Sequence, residues 1–147
     1  MQVADAIDIA ELGQLVNRYA AALDSGPTDN LMTLFHPEGV VSYYPSGSEE
    51  PAYSNRGHAA LAASRDAQRK RYVRSVHLVS NHLVTLDGDR ASGTALCAAR
   101  CRTITAIDLV HVVRYVDLFE RRKGVWRILE HQIWDLWTEE RPVPSPN

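Results

Sequence analysis

The chain has no run of about eighteen or more apolar residues, so no segment is expected to span a membrane as a helix. Charge of one sign is missing too. Lys and Arg number 16 against 18 Asp and Glu, a formal net charge of −2, whereas a dedicated nucleic-acid binder carries a strongly basic domain. Met1-Gln2-Val3-Ala4-Asp5 has neither the cationic start nor the apolar stretch of a secretory signal, which makes the cytosol (a cytoplasmic address) the expectation. Cysteine is scarce: Cys97 and Cys101 stand alone, in one predicted strand. Four strand residues span roughly 13 Å, and a disulfide needs Cα atoms within about 7 Å, so no bridge between them is expected. They read as small buried apolar groups of a reducing compartment. They belong to no zinc motif, and His111 and His131 lack a partner at metal-binding spacing. Neither metal nor cofactor is expected.

What is present is periodicity. Ile9, Leu12, Val16, Tyr19 and Leu23 recur at helical steps, with Glu11, Asn17 and Arg18 turned away. Ser25-Gly26-Pro27 ends that helix, and Thr28 is placed to N-cap a short second one with Leu31, Leu34 and Phe35 as its buried face. His36-Pro37-Glu38-Gly39 would stop it before a short strand, Val40-Val41-Ser42-Tyr43-Tyr44. Residues 45–55 then form a loop rich in Pro, Ser, Gly and Glu, long enough for a lid. An alanine-rich third helix runs from Gly57 to about Arg71. Its basic end (Arg65, Arg69, Lys70, Arg71) complements the helix dipole and needs no partner to explain it.

From residue 73 the pattern is β: strands over 73–86, 91–104, 109–121 and 125–134, with compact turns at Asp87-Gly88-Asp89 and Arg122-Lys123-Gly124. Helices followed by a strand meander imply an α+β domain, a cone-shaped curved antiparallel sheet packed with three N-terminal helices. No repeat or linker divides the chain, so residues 1–147 read as one domain, with 141–147 a frayed tail.

Such a sheet encloses a pocket, and its chemistry depends on which polar residues face inward. Asp24 closes the first helix, where its carboxylate meets the negative end of the dipole. Either a donor such as a histidine N–H compensates for this, or Asp24 simply opens the turn with Ser25 and Gly26. His77 sits in the β-branched run Val73-Arg74-Ser75-Val76-His77-Leu78-Val79, as a catalytic imidazole or as a hydrogen-bonded core histidine. Tyr19 lies on the core stripe of its helix. An acid, an imidazole and a phenol in one pocket could move a proton at neutral pH. Alternation puts His77, Val79, Asn81 and Leu83 on one face and His82 on the other. Arg100 is a candidate to bind a substrate oxygen if its face is the interior; on the outer face it would be solvated or paired across a dimer. His111 and Tyr115 share a face with Asp117 and Phe119 and could line the pocket.

The runs Tyr19-Ala20-Ala21-Ala22-Leu23-Asp24, Asp29-Asn30-Leu31-Met32-Thr33-Leu34-Phe35, Ser75-Val76-His77 and Glu120-Arg121-Arg122-Lys123-Gly124-Val125-Trp126 resemble the SnoaL-like branch of the nuclear-transport-factor-like superfamily. That superfamily includes scytalone dehydratase, a bile-acid dehydratase, a dehydrochlorinase, ketosteroid isomerase and polyketide cyclases. The resemblance implies the α+β cone fold. In its dehydratase-like members a helix-end Asp and a strand His form a dyad assisted by an upstream Tyr, and Asp24, His77 and Tyr19 match those positions. Scytalone dehydratase has a second pocket histidine on the next strand; this chain has Arg100 and Arg102 in that neighbourhood. The implied activity is a cofactor-independent lyase (dehydratase) or isomerase acting on a small, largely apolar hydroxylated or carbonyl substrate. The alternatives are a polyketide cyclase with a carboxylate base and a non-catalytic binding or assembly module. An apolar outer sheet face implies a homodimer or higher homo-oligomer.

Overall fold

The computed structural model describes residues 2–144. Its elements in chain order are α1 (Val3–Asp24), α2 (Thr28–Met32), β1 (Phe35–Tyr44), β2 (Tyr53–Arg56), α3 (His58–Arg71), β3 (Tyr72–Asp87), β4 (Arg90–Thr103), β5 (Ile107–Arg122) and β6 (Val125–Pro142). The six strands form one curved, open sheet in the order β2-β1-β6-β5-β4-β3. Every pairing is antiparallel except β1 with β6, which is parallel.

Of the apolar stripe read from the sequence, α1 buries Leu12, Val16, Tyr19 and Leu23; Leu15 joins them, and Ile9 is only half-buried. Asp5 starts the helix by accepting the Gln2 backbone N–H at 3.0 Å, a first-turn carboxylate on the positive end of the dipole. Ser25 ends it, donating its backbone N–H to Ala21, and Gly26 takes the left-handed conformation (φ 88°) that turns the chain toward α2. The other flank of α1 is tied to the sheet by Asp8, which accepts from Arg121 at 2.8 Å and from the Trp126 indole at 2.9 Å.

Several boundaries differ from the sequence reading. Thr28 is the first residue of α2 rather than its cap, and its hydroxyl donates to Asp66 on α3 at 2.6 Å. Leu34 and Phe35 are buried as expected, but Phe35 already begins β1, and the His36–Gly39 stretch belongs to that strand. The expected loop over 45–55 includes the start of β2, which pairs back onto β1. The tail expected to fray from residue 141 is in part sheet. Arg141 and Pro142 pair with Asp108 and Ile107, and the Val143 N–H donates to Ala106 at 3.0 Å; residues 145–147 lie outside the described residues.

The concave face of the sheet holds the core. Along β4 its inward row is made of small residues: Ala91, Gly93, Ala95, Cys97, Ala99 and Cys101. Both cysteines are free and buried. Toward the Ala91 end the row lets bulky neighbours interlock; a Cβ added at Gly93 would stand 3.0 Å from Cε2 of Phe119 and 3.3 Å from both Nε2 of His82 and the Leu83 carbonyl. Gly93→Ala is therefore expected to cost about 1–2 kcal/mol by overpacking, read as a lower urea midpoint. On the convex face Val76, Leu78 and Leu83 are exposed. None of the described helices is long and apolar enough to cross a membrane.

Candidate active site

Toward the Cys101 end of the sheet, the small β4 residues leave a cavity of about 320 Å³ between the concave face and helices α1 and α3. Its lining is largely apolar and aromatic, and its polar groups include Tyr19, Arg65, Ser75, His77 and His111.

Asp24 sits at the carbonyl end of α1, and β3 supplies the donors that offset this position. Its Oδ2 accepts the His77 backbone N–H at 2.8 Å. Its Oδ1 accepts the Ser75 hydroxyl at 3.0 Å and His77 Nδ1 at 2.6 Å. A carboxylate only accepts, so Nδ1 carries a hydrogen, and in the neutral ring Nε2 then keeps a lone pair. The imidazole lines the cavity. Ser75 and His77 are two apart on one strand, so both reach the same carboxylate.

Tyr19 lines the same cavity and packs edge-on against Phe35 and Tyr115, with ring centroids 6.0 and 5.9 Å away. Burial raises its pKa well above the ordinary phenol value, so it stays protonated and can donate. No hydrogen bond among the described residues joins it to Asp24 or His77.

The substrate-contact candidates divide. His111 and Tyr115 line the cavity. His111 Nδ1 lies 2.9 Å from the Thr138 hydroxyl, whose own hydrogen goes to Asp135 Oδ2 at 2.9 Å. The hydroxyl oxygen must then accept from His111, which fixes the Nδ1–H tautomer. Burial lowers the His111 pKa and favours its neutral form. Tyr43 donates to the same Asp135 oxygen at 3.0 Å, and its pKa is pushed up to about 12, first by burial and then by that bond.

Arg100 and Asn81 are not in the cavity. Arg100 projects from the convex side of β4 and pairs with Asp108 of β5. Asn81 sits at a β-bulge with φ 53° and is exposed. The same bulge reverses the expected alternation and turns His82 inward against Gly93. Among the described residues, no cluster of His, Cys, Asp or Glu could hold a metal.

Two features escaped the sequence reading. Beside Tyr19 and Tyr115 lies a second acid–imidazole pair, Asp117 Oδ1 to His131 Nδ1 at 2.5 Å, each side chain 1% exposed. Arg65, read as part of a basic helix end that complements the dipole, is buried and donates to the Leu23 carbonyl.

Residues 4–132 match the SnoaL-like domain family, and the chain belongs to that family. No curated protein sequence matches it. Among solved structures it is similar to a proposed scytalone dehydratase from Novosphingobium aromaticivorans: 18% identity, TM-score 0.86, covering 100% of this chain and 96% of that one. It is also similar to a hexachlorocyclohexane dehydrochlorinase, LinA-type3 from Novosphingobium barchaimii, at 13% identity and TM-score 0.82, covering 97% of each chain. The Kfla4162 protein of Kribbella flavida is 21% identical, with TM-score 0.82 and coverage of 92% and 95%. At these identities the likeness is one of fold.

Proposed function

We propose that this protein is a cofactor-independent lyase or isomerase that removes a proton from carbon with an Asp24–His77 dyad. One observation carries the reading: an imidazole oriented by a carboxylate at 2.6 Å, with its basic nitrogen left over at a largely apolar cavity. Membership of the SnoaL-like family and the dehydratase and dehydrochlorinase names among its structural neighbours support it.

In this mechanism His77 Nε2 takes a proton from a carbon next to a carbonyl. Asp24 holds the imidazolium that results, as the carboxylate does in a catalytic triad. The electron pair of the broken C–H bond becomes a C=C bond, and charge moves onto the carbonyl oxygen, where a donated hydrogen bond from Tyr19 stabilises it. If a hydroxyl sits one carbon further on, its C–O bond breaks and it leaves as water with a proton from the site. If none does but a C=C bond is conjugated with the enolate, the proton returns to the far carbon of that system, the C=O re-forms, and the product is an isomer. A polyketide cyclase using a carboxylate base fits less well, because both Asp24 oxygens are occupied by Ser75 and His77.

The test is a turnover panel of hydroxy-ketones, hydroxylated sterols and polyketide-like compounds, read by mass spectrometry for loss of water and in heavy water for deuterium uptake. Conversion by the wild type that His77→Ala abolishes is the expected result. Conversion that survives His77→Ala would point to the cyclase reading, and no conversion together with no deuterium uptake would point to a binding module. On any substrate found, Tyr19→Phe should lower kcat about a hundredfold with little change in KM, since the hydroxyl acts on charge that develops only in the transition state.

A further inference from the structure

Arg65 is a buried cation without a buried counter-ion. It projects from α3 into the space between α1 and the sheet, lines the main cavity and a smaller neighbouring void, and is 8% exposed. A guanidinium has five N–H donors. One contact, from Nη2 to the Leu23 carbonyl, caps the end of α1, and the buried Nε–H has no partner among the described residues. The carboxylates that act on it from nearby are committed elsewhere, Asp24 to Ser75 and His77 and Asp66 to Thr28.

A buried charge normally carries a partner, because desolvation without one is costly. If Arg65 only capped a helix, one donor would suffice and a lysine would serve equally. The extra donors are useful if the counter-ion arrives with the ligand. The lining offers both kinds of surface: Arg65, Gln68 and Arg71 come from α3, while β5 and β6 supply the apolar Leu109, Val113 and Ile133 beside His111 and Tyr115.

We infer that the ligand of this cavity is an amphipathic molecule with an anionic oxygen, a carboxylate or the enolate formed by deprotonation, held by the Arg65 guanidinium while its apolar body lies against β5 and β6. The inference rests on the proposed acid–base reading for the origin of an enolate, but the anion site itself does not require the dyad. Asp24 does not oppose it, because three donors already surround that carboxylate.

The probes are benzoate, benzyl alcohol as its neutral counterpart, and 4-nitrophenol, whose ionisation is visible by absorbance. Calorimetry on the wild type should give benzoate at least roughly tenfold tighter binding than benzyl alcohol if the anion is a ground-state carboxylate, as charge-assisted hydrogen bonds allow. If it is an enolate, 4-nitrophenol should bind as the phenolate at a pH where it is mostly neutral in solution. Arg65→Met should abolish the anion preference and leave benzyl alcohol binding unchanged. Arg65→Lys, which keeps the charge and the contact to Leu23, should retain part of the preference if Arg65→Met fails to fold. Equal binding of charged and neutral probes by the wild type overturns the inference. So does a preference that survives Arg65→Met. An intact anion preference in a protein that shows neither conversion nor deuterium uptake on the turnover panel would sink the dyad reading alone.

Discussion

Asp24→Asn is expected to lower turnover by about 10³- to 10⁴-fold while leaving the chain folded. The amide keeps one acceptor and replaces the other with an NH₂ donor. Three hydrogen bonds converge on the native carboxylate, and two come from the backbone N–H and ring Nδ1–H of His77. If the amide carbonyl stays with the backbone, its NH₂ faces Nδ1, and the ring answers by moving its hydrogen to Nε2. The nitrogen at the cavity then has no lone pair, so geometry survives and the base is lost. The magnitude is that of the corresponding carboxylate-to-amide change in a serine-protease triad. Initial rates on the first substrate found supply one readout, and ¹⁵N chemical shifts of His77, which separate the two tautomers, supply the other. A variant retaining a tenth of wild-type turnover would remove Asp24 from the mechanism.

Asp117→Ala should destabilise the protein by about 3–5 kcal/mol, which for a chain of this size lowers Tm by roughly 10 °C. Asp117 and His131 are both 1% exposed and 2.5 Å apart, with Tyr19 and Tyr115 against the imidazole. Removing the acid strands a buried ring N–H, and no water can reach it cheaply. The double variant Asp117→Val/His131→Phe removes both partners and keeps an apolar filling, so it should recover most of the loss. Urea titrations of the two single variants and the double variant give the coupling energy directly. A near-additive cycle would mean that the pair contributes packing alone.

The sequence made the first helix and the strand meander legible, because long periodic segments announce their type; it placed His77 on one face of its strand without saying which face is inward. The placement of Asp24 raised the question of a donor, since a carboxylate at the wrong end of a dipole calls for one, but a turn with Ser25 and Gly26 explained it equally well. Most of what was hidden was single-residue slips. Counting back from the Arg122-Lys123-Gly124 turn sets Glu130 opposite Asp117; a bulge at Leu118/Phe119 moves His131 into that place. The bulge at Asn81 likewise expels that residue and brings His82 inside. Alternation has a period of two, so one extra residue exchanges the faces, and composition gives no warning of it. Arg65 in the interior was obscured differently. A basic residue near a helix end has an adequate local explanation, and only the packing of α3 against α2 and the sheet shows that one of the four, Arg65, is buried.

The small inward row of β4 has a consequence for how such a protein can diversify. Ala99 and Cys101 bound the cavity but supply none of the acid, base or phenol assigned to the chemistry. On the proposed mechanism β4 helps to shape the chamber without contributing to its chemistry, which falls to α1 and β3. Enlarging either side chain would exclude bulky ligands without disturbing the proton-transfer groups, so ligand size and reaction type can vary independently in this fold.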